Sequence, residues 1–496
     1  RVRWESEVKF IKAYLHFFLA QLYGPIPIVD KNLAVNADPE QVRVFREPVD
    51  SVINYVVNLL DESLLNLPDR IEETTTEMGR ITKPIALSVK AKALVWVASP
   101  LFNGNPDYAN FKDKRGVQLI SSQYDQGKWE RALEAINEAI DISHENGHAL
   151  YRYRVGVESM SETTQMKYTL RGAVSERPIQ NTEIIWAHPA YQNANQFQNW
   201  CTPKFENWVE VDVAAIGATL KIAEQYYTHN GVPINEDPTW NYSGRYEMRR
   251  DTGAFHQYYI SKGETTANLN YYREPRFYAH LAFDRSLYEM LAQKEEETIV
   301  LKCRSGDPSG IIFSSAYIPT GYFIKKLVSF RSATTTTSPS PWRFTIPNIR
   351  LADLYLLRAE AENEIKESPD NDVYQWVDSI RLRAGLEGVV DSWRNHSSIP
   401  GKPTTKEGMR QIIKQERMIE LAFEGERPFD LRRWKDAMRY QNEPVQGWDI
   451  QGVRAEEYYQ VVTIFNARNF TTKDYLQPLW PNTIIKNSNL VQNPGW

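Results

Sequence analysis

The stretch VKFIKAYLHFFLAQLYGPIP, residues 8–27, sets the fold class of this sequence. Its apolar side chains recur at spacings of three and four residues, the period of one face of an α-helix. The recurring residues are Val8, Ile11, Leu15, Phe18 and Leu22. Gly24 and the two prolines after it do not continue a helix, so they end it. The stretch therefore predicts an amphipathic helix that buries the stripe from Val8 to Leu22.

Three further segments in the first 150 residues have a helical pattern. Residues 49–67 and 84–99 are apolar runs that each stop at a proline. The next helix is marked by Trp129, Leu133, Ile136 and Ile140. Consecutive helices with one face each to bury favour repeats of the tetratricopeptide type over a sheet-based domain. Long loops such as residues 103–128 break a clean 34-residue period. We predict N-terminal tetratricopeptide-like repeats over residues 1–150.

The composition changes after residue 150. Residues 151–343 are rich in Asn, Tyr, Gly and Pro, with β-like runs at 183–186 and 298–301 and one helix predicted at 214–227. Helices are predicted again at 348–365, 373–384, 406–423 and 430–438. Rigid helical regions can position irregular loops, so the loop-rich region is the expected place for binding residues. The predicted fold is mainly α: a tetratricopeptide-like helical repeat scaffold, a large loop-rich insertion carrying short β-strands, and a C-terminal helical region at 344–496.

Composition and charge exclude several classes of function. The 496 residues include 58 Lys and Arg against 63 Asp and Glu, a net charge of −5 that gives no broad basic surface for nucleic acid. The two cysteines, Cys201 and Cys303, supply neither a disulfide framework nor a metal-ligand pair. Lys90 and Lys92 interrupt the most apolar run, at residues 85–102, which is therefore too polar to span a membrane. Aromatic residues are in excess, at 12%, and their flat faces suit sugars, peptides or partner proteins.

A series of motifs extends along nearly the whole chain. The strongest are IRLADLYLLRAEA at residues 349–361, IRLRAGL at 380–386 and ERMIELAFEGER at 416–427. The C-terminal blocks at residues 430–434 and 492–496 are also among the strongest. Earlier blocks lie at residues 10–18, 22–30, 91–93, 99–105, 274–277 and 321–326. In this order, the blocks resemble those of the SusD/RagB family of outer-membrane nutrient-binding lipoproteins.

The resemblance implies a SusD-like fold and a function without a chemical step. Such a protein captures a nutrient, usually an oligosaccharide, at the cell surface. It acts as a lid over a SusC-like TonB-dependent transporter in the outer membrane of a Bacteroidetes-type bacterium. No cofactor is expected. Attachment to the outer membrane through an N-terminal lipid anchor is also expected, although this sequence lacks the signal peptide, lipid-bearing Cys and helical segment that precede residues 10–18 in family members. Peptide-binding, RagB-like members of the family resemble this sequence equally in the scaffold blocks, so a peptide is the alternative ligand.

Charged residues in the strongest block are interpreted as structural. Those that lie three and four positions apart are Arg417, Glu420, Glu424 and Arg427. Such spacing predicts ion pairs within one helix and to its neighbours. Glycoside hydrolysis would instead need two acids that face each other across a cleft. Asp353, Arg358, Glu360 and Glu362 are interpreted in the same way, and no catalytic residue is predicted.

Residues 144–148, His-Glu-Asn-Gly-His, match the HExxH zinc motif. Asn-Gly commonly ends a helix, and Arg154 stands where a third histidine ligand would be expected. The motif is therefore interpreted as the turn that follows a repeat helix, and no metal site is predicted. A zinc ligand further along the chain, at Glu158 or Glu162, is the alternative that the sequence leaves.

The ligand hypothesis rests on aromatic residues interleaved with amides. A saccharide packs its C–H patches on aromatic faces, and its hydroxyl groups need donors and acceptors such as Asn and Gln. The predicted ligand-binding residues are Asn103, Tyr108, Tyr191, Trp200, Trp208, Trp240 and Tyr242. An alternative with equal support is that Trp200 and Trp208 fill the seam between the repeats and the loop-rich region, or face a partner protein.

Two other classes of function stay open from the sequence. A helical glycoside hydrolase would share the sugar-binding composition but would need a facing pair of acids. A tetratricopeptide adaptor would bind a partner's helix or tail and would not need the loop-rich insertion. The leading prediction is a glycan-binding protein without catalytic activity.

Overall fold

Helices dominate the computed structural model, which describes residues 1–156, 159–188, 191–209, 212–311, 317–333 and 337–496. The described α-helices are α1 Val2–Tyr23, α2 Pro39–Val42, α3 Val49–Leu64, α4 Thr74–Glu77, α5 Lys83–Ala98, α6 Gly127–Glu145, α7 Glu162–Ser175, α8 Tyr191–Cys201, α9 Leu220–Gln225, α10 Pro275–His280, α11 Leu351–Ile365, α12 Asn371–Arg383, α13 Val389–His396, α14 Lys406–Glu420, α15 Arg427–Arg433, α16 Ala437–Gln441, α17 Ala455–Tyr458 and α18 Pro481–Lys486. No helix within these ranges is both long enough and apolar enough to cross a membrane.

The strands are short and pair in small antiparallel sheets. They are β1 Ile184–Ala187, β2 Gly217–Ala218, β3 Met248–Arg250, β4 Thr265–Ala267, β5 Leu281–Phe283, β6 Leu287–Tyr288, β7 Ile299–Val300, β8 Tyr322–Ile324, β9 Pro347–Arg350, β10 Val445–Trp448 and β11 Val461–Phe465. The pairs are β1 with β9, β3 with β4, β6 with β7 and β10 with β11, and the order β2-β8-β5 makes the one three-stranded sheet among the described residues. The predicted mainly α fold with short strands in a loop-rich region is confirmed.

Helices from both ends of the chain form one array. Helix α1 packs on α3, α3 on α5, α5 on α6, and α6 on α11, which also contacts α12 and α14. Helix α5 lies inside this array and is buried along most of its length. Its Lys92 places Nζ 2.6 Å from an oxygen of Asp353 in α11 and 2.8 Å from one of Glu426. The N-terminal helices are therefore joined to the C-terminal ones by packing and by two partly buried ion pairs.

The face predicted for α1 is wrong. The structure buries Phe10, Ala13, Phe17 and Ala20, whereas Val8 is 63% and Leu15 52% exposed. Apolar residues recur at helical spacing on two sides of this helix, so periodicity alone does not select the inner one. Aromatic contacts favour the side of Phe10 and Phe17, whose ring centroids lie 5.6 Å from that of Trp186 and 6.1 Å from that of Trp96, respectively.

This assignment predicts different losses of stability for substitutions on the two faces of α1. Phe17→Ala is expected to lower the free energy of unfolding by about 3–5 kcal/mol, because it leaves a cavity in the core. Leu15→Gln is expected to change it by less than about 0.5 kcal/mol, because the side chain faces solvent. Urea unfolding of the two variants measures both values. A larger loss for Leu15→Gln than for Phe17→Ala would show that the stripe containing Leu15 is the buried one.

Several predicted helix boundaries differ from those observed. The helix expected at 214–227 is reduced to α9, because β2 precedes it and the Thr219 side chain caps its first turn. Residues 347–350 form β9, so α11 begins later than the predicted residue 348. The segment 430–438 divides between α15 and α16, where Lys435 takes a positive φ of 62°. Helices α7, α8 and α13 were not predicted.

The charged block at 416–427 ties separate elements together, but its predicted pairing within one helix is wrong. Helix α14 ends at Glu420, so Glu424 lies beyond it. Glu424 instead binds Arg350 of β9, with 2.7 Å between Oε2 and Nε. Arg417 reaches Asp353 of α11, with Nη1 and Oδ1 2.9 Å apart. These buried pairs connect β9, α11 and α14 through their side chains.

Candidate functional site

A cleft of about 510 Å³ opens in the loop-rich region beside Trp240. We call it the Trp240 cleft, and its lining residues are His229, Thr239, Trp240, Asn241, Glu247, Met248, Arg249, Asn268 and Tyr272. Aromatic and apolar surface alternates here with amide, hydroxyl and guanidinium groups. Such a mixture of faces and hydrogen-bonding groups in a concave site is typical of a small-molecule binding pocket.

One wall of the cleft is organised by the buried carboxylate of Asp237. It accepts hydrogen bonds from the hydroxyls of Thr228 at 2.7 Å and Thr239 at 2.6 Å, and from Nδ2 of Asn230 at 2.9 Å. Burial would raise the pKa of Asp237, but the donated hydrogen bonds outweigh it and hold this pKa below its ordinary value. The carboxylate therefore stays charged and fixes the loop that presents His229 and Trp240.

Tyr272 lines the cleft beside His229 and is held in an unusual backbone conformation. Its φ of 52° is in the left-handed region, which is uncommon for residues other than glycine. The Tyr272 hydroxyl donates to Oδ2 of Asp251 at 3.3 Å and accepts from Nη2 of Arg249 at 3.3 Å. The Arg249 guanidinium also lies over the Tyr272 ring, 4.7 Å from its centroid. Residues held in this region by their surroundings concentrate at functional sites.

His229, Phe255 and Tyr272 form a continuous aromatic surface at the cleft, which we call the aromatic triad. Their ring centroids are 5.3–5.5 Å apart, and Phe255 is 44% exposed. Behind them lies His256, 4.6 Å from the Tyr272 ring, where burial lowers the pKa of its imidazole to about 4. The group is therefore neutral at pH 7 and packs as another ring behind the triad.

One of the predicted ligand-binding residues lines the cleft, and a second lies two residues further along the same loop. Trp240 is 8% exposed and donates Nε1–H to the carbonyl of Tyr271 at 3.1 Å, so it supports the floor with its ring edge. Tyr242 follows directly in the loop, is 41% exposed and stacks with Arg245, whose Cζ lies 4.3 Å from its ring centroid. The structure thus places Trp240 in the lining of the cleft and Tyr242 beside it in the same loop, outside that lining.

The structure places Asn103 and Tyr108 in the core. Nδ2 of Asn103 donates to the carbonyls of Ala98 and Asp125, and its Oδ1 accepts from the amide of Asp125 at 2.8 Å, which fastens the loop after α5 to the end of that helix. Tyr108 is buried against Phe111. Both side chains hold the 103–128 loop together in this conformation.

The aromatic cluster at 191–208 also lies away from the lining of the cleft. Trp208 is 3% exposed and packs edge-on against Phe205, with 4.9 Å between ring centroids. Trp200 is half-buried near the end of α8 and lies beside Phe197. The side chain of Tyr191 is outside the described residues. The ring contacts described for Trp200 and Trp208 are with Phe197 and Phe205, two other residues of the loop-rich region.

The aromatic triad was missed by reasoning from sequence. Its members lie at residues 229, 255 and 272, too far apart for a local cluster to stand out. The left-handed φ of Tyr272 has no sequence signal, because tyrosine rarely adopts it. One local signal was available: His229-Asn230-Gly231 predicts a turn, and Gly231 has a φ of 75° that such a turn requires.

The HExxH motif is placed at the end of α6, as predicted. The helix stops at Glu145 and Gly147 takes a φ of 85°, so His148 lies beyond the helix. Nε2 of His144 is 2.7 Å from the Tyr355 hydroxyl, and Nδ1 of His148 is 3.2 Å from the carbonyl of Thr182. Both imidazoles are therefore engaged by other groups. Glu158, one open downstream ligand, falls outside the described residues, and within them no three His, Cys, Asp or Glu side chains are grouped to hold a metal.

Comparison with known proteins settles the family. The model of the SusD family matches residues 182–496. The chain belongs to the SusD family. It is 32% identical to SusD-like protein P2 of Formosa agariphila over 150 residues, a match that spans 30% of this chain and 25% of that protein. The family resemblance predicted from the motifs is confirmed.

Solved structures show the same fold. The structure of BT4246 is 28% identical with a TM-score of 0.83, and the match covers all of this SusD-family chain and 84% of that one. A SusD-like protein from Bacteroides fragilis, BF3747, has a TM-score of 0.70 at 19% identity, with 100% and 80% of the two chains covered. The predicted SusD-like fold is therefore confirmed.

Proposed function

We propose that this chain is a cell-surface glycan-binding protein that captures an oligosaccharide in the Trp240 cleft and performs no chemical step. The observation that carries the proposal is the aromatic triad, an exposed ring surface that borders an open polar cleft. Sugar rings present C–H patches that pack on such faces. The side chains of Asn241, Asn268 and Arg249 lie in the same cleft and offer hydrogen-bonding groups to the hydroxyls.

The carboxylates of the cleft support binding rather than hydrolysis. Glu247 is the one acid among the described residues that line it. A glycosidase needs a second carboxyl group about 5–10 Å from the first, on the other side of the scissile bond. The carboxylate of nearby Asp251 has a structural role, because it accepts hydrogen bonds from Nη2 of Arg249 at 3.0 Å and from the amide of Gly253 at 2.7 Å.

Membership of the SusD family supports the partner and the location in this proposal. The captured glycan passes to a SusC-like TonB-dependent transporter, and a lipid anchor holds the protein on the outer membrane. Of the residues predicted to bind the ligand, Trp240 and Tyr242 belong to this proposal directly. Trp200 and Tyr191 stay predictions, and Asn103, Tyr108 and Trp208 could reach a ligand only if the loops around them opened.

Calorimetric titration against a panel of oligosaccharides from plant, host and microbial polysaccharides tests this function. We expect at least one member to bind, and product analysis of the same mixture to find it uncleaved. Cleavage would contradict the absence of a chemical step. If no oligosaccharide of the panel gives a heat of binding but a set of peptides does, the result would favour a peptide ligand of the RagB type instead.

A further inference from the structure

A second cavity of about 500 Å³ adjoins the Trp240 cleft. Asn241 lines the cleft and the next residue, Tyr242, lines the second cavity. Further walls come from α9, the loop at residues 233–236, Lys402, α14, Asp436 and α16. We name the cavity the Tyr440 pocket after the ring in α16. Because one exposed loop borders both cavities, a chain of sugar rings in the cleft could extend into this pocket.

Three cations surround the ring of Tyr440. Nζ of Lys221 lies 4.6 Å from its centroid, Cζ of Arg427 5.2 Å, and Cζ of Arg439 5.4 Å. Lys221 and Arg439 line the pocket, and Arg427 contacts Gln225, which does as well. Burial lowers the pKa of Lys221, and the charges of the two arginines lower it further. Lys221 is paired with Glu443, so the positive charge left to attract an anionic ligand is that of the two arginines.

The acids of the pocket are already paired. The pairs are Glu224 with Arg245, Glu236 with Lys402, Glu407 with Arg410, Asp436 with Lys414, and the neighbouring Glu443 with Lys221. Within the described ranges, neither Arg427 nor Arg439 has a carboxylate at ion-pair distance. Arg427 donates from Nη1 to Oε1 of Gln225 at 2.7 Å, and Arg439 is exposed. Two guanidinium charges at this pocket are therefore not neutralised by a bound acid.

We propose that the Tyr440 pocket binds the anionic group, carboxylate or sulfate, of an acidic sugar whose neighbouring rings occupy the Trp240 cleft. This inference rests on the proposed glycan-binding function and adds the substrate class, an acidic oligosaccharide. Guanidinium groups bind carboxylate and sulfate oxygens in a forked geometry.

Paired titrations test the substrate class. The probes are oligogalacturonate, oligoalginate and sulfated galactan oligosaccharides, each measured beside its carboxyl-reduced or desulfated form. We expect at least one acidic form to bind about tenfold or more tightly than its neutral counterpart, because a charge-assisted contact is lost from the latter. Preference for the uronate members assigns the carboxylate as the recognised group, and preference for the sulfated galactan assigns the sulfate.

The Arg439→Gln variant tests whether the preference for the acidic sugar arises in the Tyr440 pocket. We expect it to reduce the affinity for the acidic form about tenfold and to leave the affinity for the neutral form unchanged. Arg394→Gln removes the same charge from an exposed arginine outside the pocket and is expected to have no effect. Equal binding of acidic and neutral forms, or an unaffected Arg439→Gln variant, would overturn this inference while glycan binding stands. Failure of every probe and of the neutral panel would overturn the proposed function with it.

Discussion

Replacing Glu420 with glutamine is expected to lower the free energy of unfolding by about 3–5 kcal/mol, because it removes the anion at the centre of a buried ion cluster. Oε1 of Glu420 accepts from Nη1 of Arg350 at 2.8 Å and also binds Arg383. Oε2 lies 3.4 Å from Nη1 of Arg276. All four side chains are buried, so the guanidinium groups would lose a counter-charge that water cannot replace.

A matched control lies in the same helix. Glu407 is in the first turn of α14 and pairs with Arg410 at the surface. Glu407→Gln is expected to cost no more than about 1 kcal/mol, because exposed ion pairs contribute little. Urea unfolding of both variants at pH 7 measures the two losses. A loss for Glu420→Gln no larger than that for Glu407→Gln would show that the cluster does not hold the scaffold together.

The same cluster gives a pH dependence with a definite sign. Burial alone would raise the pKa of Glu420, but Arg383, Arg350 and Arg276 outweigh it and hold that pKa well below its ordinary value. A carboxyl group whose pKa is lower in the folded state stabilises the protein above its unfolded pKa of about 4.3, and loses that contribution as the pH falls through the folded value. The stability difference between wild type and Glu420→Gln should therefore narrow below about pH 4.

Replacing Tyr272 with alanine is expected to weaken oligosaccharide binding by about tenfold to a hundredfold. Tyr272 lines the Trp240 cleft, and its ring packs against those of His229 and Phe255. Losing its face removes apolar contact worth about 1.5–3 kcal/mol. Calorimetry with the tightest member of the oligosaccharide panel measures the change.

Two further variants separate the ring from other effects of that substitution. Tyr272→Phe keeps the ring and removes only the hydroxyl that donates to Asp251, so its affinity is expected to stay within about threefold of wild type. Tyr124→Ala removes an exposed tyrosine outside the cleft and should leave binding unchanged. Full affinity in folded Tyr272→Ala protein would mean that the sugar does not stack on the triad.

Sequence patterns predicted elements well where only one side of a helix is apolar. Helix α6 is such a case, since Ile136 and Ile140 mark the side that the structure buries. In α1, two sides are apolar, and the choice between them depends on tertiary contacts with Trp96 and Trp186. Predicted helix boundaries were also wrong where the backbone leaves the helical conformation, as at Lys435, which has a positive φ.

The site was only partly predictable for a related reason. Trp240 and Tyr242 were found because they are close together in sequence, beside amides. Asn103 and Tyr108 have the same local chemistry, but their polar atoms are used to close a loop, which composition does not reveal. The aromatic triad depends on three distant segments that meet only in the folded chain.

The crystal structure of the chain with the tightest-binding oligosaccharide of the panel tests the central claim most directly. We expect sugar rings in the Trp240 cleft, with one ring packed on Tyr272 and its hydroxyls within hydrogen-bonding distance of Asn241 or Arg249. A sugar bound elsewhere, for instance against Trp200 and Trp208 with the Trp240 cleft empty, would contradict it.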